Sequence, residues 1–214
     1  MDPFQIRDCT IAAVALGEKV YSLSELANKL REVPQGSLYH HFWGGRLRPQ
    51  FEHPEYHNDF AAWAHHALHD QVFAERLGVL NPQDYHDLAD LREEMLFLID
   101  ERIDEREVIP RSSKEEPFHF VASRILVFST PKTIHEPKEM GEAIYHMSLS
   151  SLFYHVIDAN RRTKERSNDF CVWLRGFGQE YDSLAQKVDS MDIYFLTLQQ
   201  LKNRLVETMR SYFR

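Results

Sequence analysis

Twelve histidines stand in this 214-residue chain, and eight of them precede residue 90. His40, His41, His53, His57, His65, His66 and His69 fall within thirty residues. Read on one helix, His65 and His69 are i,i+4 neighbours able to share a divalent ion such as zinc, with His57 or His40 as a third ligand from across the loop. His66 and Asp70 have the same spacing. The segment His66-Ala67-Leu68-His69 lacks the glutamate of the HExxH zinc hydrolases, so an ion held there is structural before it is catalytic.

A second constellation pairs imidazole with carboxylate. His41 precedes Asn58-Asp59, and His155 precedes Asn168-Asp169. Such a pair can work as an acid–base site, because a carboxylate favours the charged imidazole. The simpler reading is a structural fastener, with His41 tied to Asp59 and His155 to Asp169 across a helix start. Trp63 and Trp173 follow these aspartates by four residues, and each is expected to cap the core with its indole N–H facing a partner. The segment Trp43-Gly44-Gly45-Arg46-Leu47-Arg48-Pro49 joins an aromatic, glycines and two guanidiniums. It suits a small anionic or carbohydrate-like ligand, or a protein partner. With His40, His41, Asn58, Asp59 and Trp63 around it, it makes up the expected binding surface. No catalytic residue is assigned. There is no P-loop, and Cys9 and Cys171 lack the basic sequence context of a reactive thiol.

The elements that carry these residues occur twice. Ser37-Leu38-Tyr39-His40-His41-Phe42 aligns with Ser151-Leu152-Phe153-Tyr154-His155-Val156 at an offset of 114, as do Phe4 with Phe118, Glu25 with Glu139 and Arg48 with Arg162. At an offset of 110, Asn58-Asp59-Phe60 falls on Asn168-Asp169-Phe170 and Trp63 on Trp173. The expectation is a duplication: copy one over 1–105, a linker over 106–117, and copy two over 118–214.

Each copy reads as helical. Phe4–Leu16 is taken as a helix capped by Gly17. Ser22-Leu23-Ser24-Glu25 opens a helix to about Glu32, and Ser37 is expected to cap the next. Asn58 or Asp59 starts one over Phe60–Leu77. Stripes at Leu88, Leu91, Met95, Leu98 and at Leu198, Leu201, Leu205, Met209 mark closing amphipathic helices. Ile125-Leu126-Val127-Phe128 fits a strand equally well, but its counterpart Ile11-Ala12-Ala13-Val14 has a helical composition, so both are expected to be helices. The fold class is therefore all-α, two tandem divergent repeats packed as a pseudo-two-fold pair, with the closing helices available to an inter-copy or homodimer surface.

Two resemblances arise from these motifs. Val33–Phe42 resembles the recognition region of TetR-type repressors, G-[ST]-[LI]-Y-x-H-F, which implies a DNA-binding regulator. Against it, Arg31-Glu32 replaces the usual Ala-Gly and the motif recurs at Ser151–Val156. Residues 1–50 also sum to only +1, weak for phosphate contact. The pattern S-[LI]-[YF]-x-H followed by N-D-F-x-x-W, present twice, is similar to a bacterial and archaeal domain family of unknown function, which implies no activity.

The formal charge of −8 is unevenly spread, since residues 51–110 alone carry −11. No apolar run nears the ~18 residues of a membrane span, and the start of the chain lacks a leader's pattern. A cytoplasmic, non-catalytic helical binding or scaffolding protein is expected, recognising its partner through the loop after the Y-x-H segment. The rivals are a metal-binding or His/Asp acid–base enzyme centred on copy one, and a TetR-like regulator.

Overall fold

The computed structural model describes residues 1–47 and 55–214; Arg48, Pro49, His53 and Pro54 lie outside them. Two long strands, β1 (Phe4–Val20) and β2 (Phe118–Ile134), pair in an antiparallel sheet. This overturns the all-α expectation: among the described residues the fold is mixed, ten α-helices and one two-stranded sheet.

Side-chain burial shows why these segments extend. Phe4 and Ile6 are buried and Arg7 exposed; Phe118 and Phe120 are buried and His119 exposed. That period of two belongs to a strand with one covered face. Ile11-Ala12-Ala13-Val14-Ala15-Leu16 prefers helix by composition, but the preference amounts to only a few tenths of a kcal/mol per residue and pairing overrides it. Pairing is visible where Gln5 Nε2 donates to the Thr130 carbonyl at 2.7 Å and Thr130 Oγ1 donates to the Ile6 carbonyl at 2.7 Å. Gly17 lies inside β1 at φ 75°, not at a helix end.

The chain divides into two compact units: a central one of residues 11–124, and a terminal one of residues 1–10 with 125–214. The central unit holds α1 (Leu23–Glu32), α2 (Gln35–Trp43), α3 (Asp59–His66), α4 (Gln71–Gly78) and α5 (Leu88–Asp104). Ser22 caps α1, accepting from the Glu25 N–H at 3.3 Å, while Glu25 reaches back to the Tyr21 N–H at 2.8 Å. Helix α2 starts at Gln35 behind Pro34, so Ser37 lies within it and is not its cap. The single helix expected over Phe60–Leu77 is two helices. Asp70 causes the break: its carboxylate caps α4 at the Phe73 N–H (3.2 Å) and takes the Arg102 guanidinium of α5 in a fork (3.0 and 2.8 Å). On α5 the buried stripe is Leu91, Met95, Ile99 and Arg102, one position round from the expected Leu98.

The terminal unit holds α6 (Met140–His146), α7 (Leu149–Leu152) running into a π-helical turn at Phe153–Ile157, α8 (Asp169–Arg175), α9 (Asp182–Asp189) and α10 (Leu198–Tyr212). Along α10, Leu198, Leu201, Leu205 and Met209 are all buried, as their spacing predicts, and the helix packs on α6. Each such side chain contributes about 2 kcal/mol.

Candidate functional site

In the central unit His41 sits on α2 and Asp59 opens α3. Asn58, not Asp59, is the cap, accepting from the Ala61 N–H at 2.8 Å, which leaves the Asp59 carboxylate to His41 Nδ1 at 2.8 Å. The other ring nitrogen, Nε2, accepts the Val121 backbone N–H of β2 at 3.2 Å. An acceptor at Nε2 fixes the proton on Nδ1, so each ring nitrogen has a protein partner. Phe118 packs on the ring at 4.6 Å between centroids and on Phe60 at 4.8 Å. The Trp63 indole N–H donates to the Glu116 carbonyl at 3.0 Å.

The terminal unit contains the same arrangement. His155 Nδ1 meets Asp169 at 2.8 Å, and Nε2 accepts the Arg7 N–H of β1 at 2.9 Å. Asn168 caps α8 through the Cys171 N–H at 2.9 Å. Phe4 lies 4.8 Å from the His155 ring and 5.4 Å from Phe170, and the Trp173 indole donates to the Asp2 carbonyl at 2.9 Å. The units differ around the carboxylate. Asp169 also takes Arg162 at 3.0 Å and is 19% exposed, whereas the Asp59 side chain is 55% exposed. Arg162 further holds the buried Asp158 at 2.8 Å and lies 3.9 Å over the Tyr154 ring. Asp158 was not singled out from sequence; its signal was its place three and four residues before two arginines.

The remaining expected site residues are placed unevenly. His40 is buried, with Nδ1 2.7 Å from Ser123 Oγ, and Gly44 passes so close that a Cβ there would lie 2.8 Å from the same nitrogen. Trp43, Asn58 and Trp63 are buried too, so Trp43 serves the core, with Arg46 5.7 Å over its ring. Arg46 is half-buried and Asp59 exposed; Arg48 lies outside the described residues. His65 lies in the last turn of α3 beside the Tyr56 hydroxyl at 3.3 Å, while His69 falls after the helix at φ 53° and exposed. They are not neighbours on one helix, because α3 ends at His66 and Asp70 caps the next helix. Among the described residues, the groups whose ligating atoms gather within 4.8 Å are His40 with His41 and Asp59, and the exposed His86 with Asp87 and Asp90; His57, His65 and His69 form no such group. At the first, His41 has already spent both nitrogens. Both thiols are buried, and burial pushes Cys9 and Cys171 up to about 12. Also among the described residues, no helix is long and apolar enough to cross a membrane.

The molecule is thus an α/β protein in which each of two helical units fixes a His–Asp pair against a strand bearing phenylalanine. It belongs to the family of unknown function DUF5752, whose model matches residues 1–210. It is similar in structure to OrfY from Thermoproteus tenax, with a TM-score of 0.81 and 24% identity over 98% of this chain and 95% of that one, a likeness of fold alone. No functionally curated protein matches it.

Proposed function

We propose that the protein is a non-catalytic binding or scaffolding protein, recognising a protein partner or a small anionic or carbohydrate-like ligand through the loop after the Y-x-H segment. Among the described residues there, Arg46 is half-buried and Glu55 and Asp59 are exposed. The observation that carries the reading is the double engagement of His41 and His155. A general base needs a free nitrogen within reach of substrate, and these rings bridge strand to helix instead. Inert thiols point the same way. The TetR-like reading is disfavoured because every residue from Ser37 to Trp43 is buried, and a recognition helix needs an exposed face to enter a groove.

The same contacts support tandem divergent copies. Arg7 and Val121, Asp2 and Glu116, Phe4 and Phe118 all stand 114 apart, like His41 and His155. Duplicated chemistry used for the fold in both copies is what a fastener requires.

The test is a thermal-shift screen of the full chain against sugar phosphates, nucleotides and dicarboxylates, with NMR of each stabilising compound over a day. The expected result is stabilisation by one class, lost in Arg46→Ala, with the compound unchanged. Turnover abolished by His41→Gln would overturn the non-catalytic reading. Absence of any stabilising compound, together with no adduct from a photocrosslinking residue at position 47, would overturn the binding reading.

A further inference from the structure

The terminal unit carries an open groove of about 810 Å³ where the end of β2 meets α6, reached also by Ile6 and Asp8 of β1. Ile6, Ile134 and Met147 are buried along it and Ala143 is half-buried, so its floor is apolar. A volume in this range suits a small organic ligand. Three carboxylates line the groove, and each already accepts two donors. Asp8 takes the Cys9 N–H and the Ser148 hydroxyl, both at 2.8 Å. Glu139 takes the N–H groups of His135 (2.9 Å) and Glu136 (3.2 Å). Glu142 takes the His146 ring at 2.9 Å and the Arg210 guanidinium at 3.0 Å. The Lys132 ammonium on the same lining meets no carboxylate among the described residues.

The central unit shows what differs. There Glu25 accepts the Tyr21 N–H at 2.8 Å, as Glu139 accepts that of His135, so positions 114 apart hold the same place where strand passes into helix. At that offset Glu18 and Lys29 correspond to Lys132 and Ala143. Glu18 and Lys29 form an ion pair at 3.1 Å that ties β1 to α1. In the terminal unit the helix partner is cut back to a methyl group and the strand charge is reversed. The tie is therefore gone, and a cation without a carboxylate lines an apolar groove. Its complement is an anion with an apolar body. We propose that this groove binds a small aliphatic carboxylate, its carboxyl group on Lys132 and its chain along Ile6, Ile134, Ala143 and Met147. The inference rests on the correspondence between the two units and not on the loop after the Y-x-H segment, so Arg46→Ala should leave this binding untouched.

Octanoate, octanol and octylamine, each titrated into the nitrogen-labelled full chain and followed by NMR, test it. Octanoate should give saturable shifts in residues 130–135 and 143–148, which line the groove. Octanol in place of octanoate, or Lys132→Ala in place of the wild-type chain, should each weaken binding about fivefold, the upper end for one exposed ion pair. Lys132→Glu combined with Ala143→Lys rebuilds the ion pair of the central unit and should abolish the octanoate shifts. Octylamine binding as tightly as octanoate overturns the proposal, because the carboxylates would then govern the groove. So does octanoate without saturable shifts, or with equal affinity for Lys132→Ala; that side chain is exposed, so its removal leaves the test standing should the double variant fail to fold.

Discussion

Replacing His155 with phenylalanine keeps a ring of similar size against Phe4 and Phe170 but removes both of its hydrogen bonds. The Arg7 N–H, 2.9 Å from Nε2, loses its acceptor. A part-buried donor left unsatisfied costs about 1–3 kcal/mol. The bond to Asp169 at 2.8 Å involves a carboxylate and is worth about 1.5–3 kcal/mol. It is discounted here because Asp169 retains Arg162 at 3.0 Å and some access to water. Together about 3 kcal/mol should be lost, roughly a hundredfold in the unfolding constant of the terminal unit. His41→Phe should cost less, about 2 kcal/mol, since its N–H contact is longer at 3.2 Å and the 55%-exposed Asp59 can turn to solvent.

Guanidinium titration followed by tryptophan fluorescence separates the two, because Trp173 reports on the terminal unit and Trp43 with Trp63 on the central one. With two units, each transition is fitted alone. An unchanged midpoint for His155→Phe would refute the fastener argument, since the ring would then be energetically idle and free for other work. A larger loss for His41→Phe than for His155→Phe would refute the discount for exposure.

Three further outcomes follow from the same contacts. Burial pushes the Asp70 carboxyl up, but the Arg102 fork and the Phe73 N–H outweigh it and hold the group below its ordinary 3.8. Its contribution is thus intact above that value and is lost as the pH falls below it. Asp70→Ala should cost the central unit about 3 kcal/mol at neutral pH, the low end for a broken buried pair because Arg102 keeps Glu105, and should flatten the acid limb of a denaturation-versus-pH curve. Cys9 and Cys171, pushed up to about 12, should react with iodoacetamide at pH 8 roughly a thousandfold more slowly than a free thiol; mass spectrometry of the labelled native protein checks this. Gly178 sits at φ 147°, a backbone conformation that side chains with a Cβ rarely adopt. Gly178→Ala should lower the melting temperature by an amount corresponding to about 1–3 kcal/mol, measured by calorimetry.

What the sequence makes legible here is set by range. Ser22, Asn58, Asn168 and the α10 stripe act within one or two turns, and their caps and buried face are readable from neighbours alone. The pairing of His41 with Asp59 is readable too, because both copies keep it. The acceptor role of Nε2 is not, since Val121 and Arg7 lie 80 and 148 residues from their imidazoles, and only the course of the strands brings them there. Those strands are the least legible elements of all. Each is 17 residues long, about three times the usual length, and the alanine-rich middle of β1 erases the alternation that Phe4, Ile6, Phe118 and Phe120 keep at the ends. The residues that misled the fold assignment are therefore not the ones that hold the units. The ends that alternate are those that pack on the His–Asp pairs and tryptophans, offering them phenylalanine, a flanking carbonyl and an N–H.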